Sequence, residues 1–399
     1  MKISLIQPGR NNLKYLKWSY DSIRKNQGNH EVEICVADDF SNDGTWDWCN
    51  EMMAKDSNFK AIRNEGPTRL GHTILYDRLV NEVATHDICM IYHADMYLCP
   101  GALDQVEHKL TDKTIVSLTR IEPPLHPPGP EKILIDFGIE PEEFDEDKLL
   151  RYIEDSKFDR LTKITEGIFA PWAFYKKDFQ EIGGHDDLFA PQSKEDTDIF
   201  NRFQLNGIKF IQTWGGCVYH MTCRGSRFAD GAKRNPDGQV FMKNRETDEW
   251  LKQNERSTRN FLRKWGHYCL HDKYLKPIIP PKYDIGFIIK NCNEQLLNVL
   301  EPLCSTVYPD CDVNSYIESE QPNTKYDLRD RVRYAASSKD NQVIVEIDGI
   351  KFTKDDFNYI QNLSAIIKDS GEVGSFELGN LRITINKLET FEKALVICE

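Results

Sequence analysis

Along the N-terminal part of the chain, short apolar runs alternate with amphipathic stretches. Ile3 to Gln7, Val32 to Ala37, Phe59 to Ile62 and Ile88 to Tyr92 have the length and composition of strands. Between them Leu13, Leu16, Tyr20 and Ile23 recur at near-helical spacing, as do Ile74, Leu75 and Leu79. This alternation predicts an α/β fold, a Rossmann-like and mostly parallel sheet flanked by helices. Ser41-Asn42-Asp43-Gly44 supplies turn and capping chemistry ahead of a helix that contains Trp46. The chain shows no internal repeat of convincing period.

Two passages interrupt the pattern. Pro123-Pro124-Leu125-His126-Pro127-Pro128-Gly129-Pro130 cannot continue a ladder or a helix and predicts a surface loop, and an acidic run from Glu140 to Asp147 follows. Together they read as an insertion over about residues 121–160, with the core resuming near Ile164 and Gly167-Ile168-Phe169-Ala170-Pro171-Trp172. The second interruption, Pro277-Ile278-Ile279-Pro280-Pro281, divides an expected domain 1–276 from an accessory α/β module 277–399. Tyr283 to Ile289, Val343 to Ile347 and Leu381 to Ile385 are that module's strands, and Lys354 to Ile367 its helix.

Bulk properties narrow the partners. A chain of 399 residues suits two or three units with a sizeable core. A formal net charge of -13 argues against nucleic acid, whose phosphates call for Lys and Arg. The 11 cysteines lack CxxC pairs or scaffold spacing and read as buried thiols of a reducing compartment. Met1 to Gln7 breaks at Pro8-Gly9, too short for a signal-peptide core, and no apolar stretch reaches the length of a membrane span. The expected location is cytoplasmic, with any membrane association peripheral.

Four separated segments carry candidate chemistry. Val36-Ala37-Asp38-Asp39-Phe40 places two acids at the carboxyl edge of the second strand, where open α/β sheets bind ligands, and Gln7, Pro8 and Arg10 end the first strand on the same rim. An Asp there accepts from a base or ribose, or caps a polar turn. Tyr92-His93-Ala94-Asp95-Met96 ends a buried strand with a carboxylate suited to a divalent cation or to capping the next turn. Gly183-Gly184-His185-Asp186 permits a tight turn, and Glu195-Asp196 opens a helix whose apolar face is Ile199, Phe200 and Phe203. A carboxylate at that helix start accepts the proton of an attacking hydroxyl, or simply complements the helix dipole. Last, His220 follows a strand and can join Asp95 around a metal or serve structurally, while Arg224 and Arg227 are able to meet phosphate.

In this order the segments resemble the family 2 glycosyltransferases of the GT-A fold, over roughly residues 1–230. The resemblance implies a nucleotide-diphospho-sugar transferase: Asp39 contacts the base beside Gln7 and Pro8, and Asp95 is the metal-holding last acid of the DxD motif. His220 matches the later metal-ligand histidine. Asp196 matches the catalytic base of the ED motif, with Glu195 beside it in acceptor binding. Asn64-Glu65-Gly66 with Arg69 is similar to the loop that reaches the donor, Ala94 lies inside the DxD stretch, and Trp172 looks like a residue of the acceptor wall. The sequence departs from the family where His93 replaces the first acid of DxD. His93 therefore contacts ribose, ligates metal or fills the strand end.

The function implied is an inverting, hexosyltransferase-type enzyme assisted by Mn2+ or Mg2+, with a nucleotide-sugar donor (UDP-sugar favoured). Its acceptor is the hydroxyl of a polysaccharide, lipopolysaccharide or glycoprotein glycan. The alternative is a non-catalytic GT-A-like glycan- or nucleotide-binding protein, favoured by the altered DxD and disfavoured by Glu195, Asp196 and His220. No GxGxxG follows the first strand, which argues against a dinucleotide oxidoreductase. For the C-terminal module the default roles are structural support, acceptor binding or oligomerisation.

Overall fold

The first apolar run becomes strand β1 (Lys2–Gly9), and α1 (Leu13–Asn26), β2 (Glu31–Asp39), α2 (Thr45–Lys55), β3 (Phe59–Asn64), α3 (Gly71–Arg78) and β4 (Ile88–Ile91) follow in turn. The computed structural model describes residues 1–222, 224 and 231–397. They divide into two units, one of residues 1–252 with 271–277 and one of residues 253–270 with 278–397. In the first unit β3, β2, β1 and β4 lie side by side and parallel. Strands covered on both faces need apolar side chains throughout, which is why Ile3, Leu5, Ile6, Ile34 and Val36 are all buried. Helix α1 turns Leu16 and Ile23 into that core, with Leu13 and Tyr20 at its margin. Gly44, at φ 86, turns the chain into α2, and the Asp43 carboxylate accepts from the N–H of Thr45 (3.1 Å) and of Leu13 (3.0 Å), tying two helix starts together.

The sheet continues through β5 (Met96–Leu98), α4 (Ala102–Lys109) and β6 (Thr114–Glu122). Next come β7 (Lys132–Leu134), α5 (Glu146–Asp155), α6 (Lys157–Arg160), β8 (Ile164–Thr165), β9 (Trp172–Tyr175), α7 (Lys176–Glu181), α8 (Glu195–Leu205) and β10 (Lys209–His220). The strand order from β4 onward is β9, β6, β10, β5. Because β9 runs antiparallel to β4 and β6, and β5 antiparallel to β10, the sheet is parallel-rich but mixed.

The region of about residues 121–160, expected as an insertion, is more folded than a loop. Residues 123–131 carry no strand or helix, but β7 pairs with β6, and Phe137 and Leu149 pack with Ile121, Cys217 and Tyr219 in a separate apolar cluster. The acidic run forms a 3-10 turn at Pro141–Glu143 and then leads into α5, where Asp145 accepts the N–H of Lys148 (3.0 Å). Short strands β11 (Lys233–Arg234) and β12 (Val240–Phe241) pair antiparallel and precede α9 (Asp248–Trp265).

The second unit contains β13 (Ile285–Lys290), α10 (Glu294–Leu300), β14 (Thr306–Pro309), α11 (Asn314–Glu320), α12 (Leu328–Arg331) and β15 (Val343–Asp348). It closes with α13 (Lys354–Gln361), α14 (Leu363–Ser370), β16 (Gly374–Leu378) and β17 (Leu381–Ile385). Its sheet runs β14-β13-β15-β17-β16, parallel across the first three strands and antiparallel beyond. The single helix expected from Lys354 to Ile367 is broken at Asn362, whose φ of -104 and ψ of 11 leave the helical region. The unit takes in residues 253–270, ahead of the Pro277–Pro281 segment, because Leu262 of α9 joins its apolar core. Among the described residues no helix is long and apolar enough to cross a membrane, and Cys35, Cys49, Cys89, Cys99, Cys217 and Cys304 are buried free thiols.

Candidate active site

The carboxyl ends of β1, β2 and β4 form one rim, and the loop from Asn64 to Gly71 is held against it by Asp39. One Asp39 oxygen accepts from Asn64 Nδ2 (2.7 Å) and the Leu70 N–H (3.1 Å), the other from the Gly71 N–H (2.9 Å), and Arg69 Nε stands 3.7 Å away. The buried carboxylate thereby satisfies the N–H groups at the start of α3. Arg69 also donates to Gln192 (3.3 Å), and Arg10 lies over the Phe40 ring at 4.0 Å. Gln7 is fully buried: Nε2 donates to Ser19 Oγ (3.0 Å) and to the carbonyl of His93 (3.4 Å), while Oε1 has no partner among the described residues. Pro8 follows on the same strand end.

The second group forms where β4, β5 and β10 meet. One ligand atom each from His93, Asp95 and His220 lies within 4.8 Å of the others, a set of two imidazoles and a carboxylate that can hold a metal ion. Ala94, buried, links the first two. Register explains the convergence: His220 ends β10 opposite Met96, next to Asp95. His220 Nε2 is 3.3 Å from Asp95, and its Nδ1 is 2.7 Å from Glu122 Oε1. Burial alone lowers the basicity of His220, but Asp95 and Glu122 overcome it and raise the imidazole to about 9. Burial, with the His220 charge beside it, depresses His93 to about 3. Burial opposes ionisation of Asp95, and His220 outweighs it, so the carboxyl titrates below its ordinary value.

The third group is the start of α8. Ser193 and Lys194 both adopt left-handed backbone (φ 82 and 72) before Glu195 and Asp196 begin the helix. Arg202, one face below, pairs with Asp198 (2.8 Å) and donates to the carbonyls of Ile182 (2.9 Å) and Gly184 (2.6 Å), bracing the Gly183-Gly184 turn. Glu195 is buried and Asp196 exposed. Burial, then the neighbouring Asp196, raises Glu195 well above the carboxylate range. Asp196, although its surface is open, is also raised by the desolvation of the protein crowded round it, against the pull of His185 and Arg120.

Helix α3 connects the three groups. His72 is lowered to about 4 by burial and then by Arg69, with Asp39 and Asp95 pulling the other way. One turn later the Tyr76 phenol is raised by burial and then by Asp196, Glu195 and Asp95 together. These two rings, 5.7 Å apart on one helix face, thus sense Asp39 and Asp95 at one end and Asp95 and Asp196 at the other.

One expectation fails and one cannot be placed. Trp172 is not a wall residue: it is 0% exposed and packs against Phe174, Phe200 and Phe203 between β9 and α8, because β9 lies inside the sheet between β4 and β6. Arg227 lies outside the described residues. Arg224 pairs with Glu140 (3.4 Å) and helps hold Asp95 ionised. The sequence reading missed Glu122, Arg120, His72, Tyr76 and His185. Charged residues alternating at the end of the apolar run Thr114–Glu122 were a signal for the first two, because alternate strand positions share a face.

Residues 4–183 match the model of the family described as glycosyl transferase family 2. No curated protein sequence matches the chain. Among solved structures the chain is similar to GalNAc-T7 with UDP, GalNAc and Mn2+, at 14% identity and a TM-score of 0.42 over 55% of this chain and 43% of that one. It is also similar to the mannosyltransferase PcManGT from Pyrobaculum calidifontis in complex with GDP-Man and Mn2+, at 16% identity and a TM-score of 0.39 over 55% of this chain and 56% of that one. The chain therefore spans about half the length of each of these two proteins.

Proposed function

The chain belongs, through residues 4–183, to glycosyl transferase family 2, and on that footing we propose that it moves a sugar from a nucleoside-diphosphate sugar to an acceptor hydroxyl with inversion at the anomeric carbon. The observation that carries this reading is the His93, Asp95 and His220 cluster, whose ligand atoms lie within 4.8 Å of one another, while Tyr76 of α3 is acted on by the charges of both Asp95 and Asp196. His93, Asp95 and His220 would hold a divalent cation, Mn2+ or Mg2+, which when bound would supply positive charge to the diphosphate of the donor and of the departing nucleoside diphosphate.

The chain's own residues supply the rest. Asp39 and Arg69 shape the donor side through the loop from Asn64 to Gly71, and Gln7 and Arg10 border it. Asp196 takes the proton of the acceptor hydroxyl as that oxygen bonds to the sugar C1. The bond from C1 to the phosphate oxygen breaks at the same time, and its electron pair leaves with the diphosphate. Glu195, raised by burial and by Asp196, stays protonated beside it, so the negative charge rests on Asp196 and the Glu195 hydroxyl donates to the acceptor. Two adjacent carboxyls with different environments take different roles.

The test is release of nucleoside diphosphate from a panel of nucleotide sugars, with and without Mn2+. Metal-dependent release from at least one donor supports the reading, and no release from any overturns it. The same assay separates an enzyme from a protein that only binds nucleotide or glycan.

A further inference from the structure

We infer that Glu122 orients His220 for cation binding, and that Glu131 and Lys132 of the insertion hold Glu122 in place; this rests on the metal site proposed above. A histidine that ligates through one ring nitrogen is fixed in tautomer and direction by what the other nitrogen meets. Here His220 Nδ1 lies 2.7 Å from Glu122 Oε1, which leaves Nε2 turned toward Asp95, 3.3 Å away.

The strand register makes this contact unavoidable. Strands β6 and β10 pair in parallel through Ile121 and Tyr219, so the next step sets Glu122 beside His220. Glu122 is 2% exposed, and a buried carboxylate persists only with compensating partners. Its partners form a closed ring of four charges. Glu122 meets Arg120 Nε at 3.0 Å and Lys132 Nζ at 3.5 Å, and Glu131 meets that Lys132 at 3.0 Å and that Arg120 at 3.4 Å. Two acids alternate with two bases, so the ring carries no net charge. Half of it comes from residues 131 and 132, which follow directly on the proline-rich loop, and the backbone joins them to β6: the Arg120 N–H donates to the Glu131 carbonyl (3.1 Å), and Lys132 is in register with Arg120. The insertion therefore does more than decorate the domain, since it closes the support behind one ligand of the cation.

Mn2+ titration calorimetry on the full chain, with EDTA-treated melting temperature as the control for folding, tests this. Wild-type protein binds Mn2+ at one site. Glu122→Leu removes the acceptor at similar volume and weakens binding by about 10–100-fold, whereas Glu122→Gln, whose amide oxygen still accepts from Nδ1, recovers most of that loss. Lys132→Met produces an intermediate loss. Equal Mn2+ affinity in wild type and Glu122→Leu, or no recovery in Glu122→Gln, overturns the role of Glu122. Should Glu122→Leu not fold, Glu122→Gln and Lys132→Met carry the test, and wild-type affinity in Lys132→Met overturns the role of the insertion. Wild-type protein that binds no Mn2+ would instead overturn the metal site itself.

Discussion

The backbone N–H of Gly71 donates to the carboxylate of Asp39 over 2.9 Å, joining the end of β2 to the first turn of α3. Gly71 sits at φ +75, and a Cβ there would stand 2.2 Å from both the Cβ and the carbonyl oxygen of Pro191. Backbone cannot swing aside as a flexible side chain can, so Gly71→Ala must move α3 away from Pro191 or distort the turn. The expected cost is about 1–3 kcal/mol of stability. Donor affinity should fall with it, because His72 and Tyr76 ride on the same helix. Chemical unfolding and donor calorimetry read the two effects, and a variant unchanged in both would show that this junction does not shape the site.

How much of this was legible beforehand depends on what kind of contact each residue makes. Asp39, Asp95, Asp196 and His220 were visible because each stands at a strand or helix end, a position that local pattern marks. Glu122 and Arg120 were hidden because they acquire meaning only when β6 and β10 pair, across nearly a hundred residues of chain (Ile121 opposite Tyr219). Trp172 was misread because an aromatic just before a polar helix start looks the same whether its strand is at the rim or, as here, enclosed by β4 and β6. The α/β alternation was plain in the parallel strands, whose apolar runs are continuous. Strands β9 and β5 were not, since nothing in a short apolar run states which way it enters a sheet.

The two carboxyls of α8 should separate in mutagenesis. Asp196→Asn is expected to lower the rate of transfer by about 10²–10⁴-fold with donor affinity nearly intact. Glu195→Gln replaces a carboxyl, whose neutral form burial favours, by an amide of the same shape, so its loss should be far smaller. Steady-state kinetics with a saturating donor decide between them. Equal losses would mean that the charge is not localised on Asp196.

Glu195 also predicts a stability trend with a definite sign. Its carboxyl titrates later in the folded protein than in the unfolded chain, so its contribution is fully present below the unfolded value of about 4.5 and is lost as pH rises toward the folded one. Each pH unit of late titration corresponds to about 1.4 kcal/mol. Glu195→Gln removes the titration, and the variant should gain stability over wild type on going from pH 5 to pH 8, as followed by urea unfolding across that range. A constant difference between the two proteins would contradict the burial of an ionisable Glu195.

Cation binding should be coupled to a proton. Without metal, His220 is raised to about 9 against the effect of burial, by Asp95 and Glu122, and a protonated imidazole cannot ligate. The apparent Mn2+ affinity is therefore expected to climb about tenfold for each pH unit below about 9, then level off. Asp95→Ala should abolish specific binding at every pH. Calorimetry in two buffers of different ionisation heat measures the released proton directly, and a pH-independent affinity with no proton release would remove His220 from the ligand set.

The second unit depends on a different arrangement of charge, and its response to acid can be foreseen. Glu301 is 0% exposed and accepts from Arg263 Nη2 (2.7 Å), Arg331 Nε (2.6 Å) and the Tyr316 hydroxyl (2.7 Å). Burial works against its ionisation, but Arg331 and Arg263 prevail and bring the carboxyl to about 2. The depressed value means that its stabilisation is present above about 4.5 and is lost as pH falls toward 2. Glu301→Gln keeps the volume and leaves the buried Arg263 and the half-buried Arg331 incompletely paired, which typically costs about 3–5 kcal/mol. Wild type should show a steep loss of stability in the second unit below pH 4.5, while the variant starts lower and changes less over the same range. Hydrogen exchange of the amides of β13 and β15 resolves that unit from the rest of the chain, and parallel pH profiles for the two proteins would show that the Glu301 charge is not what holds these strands.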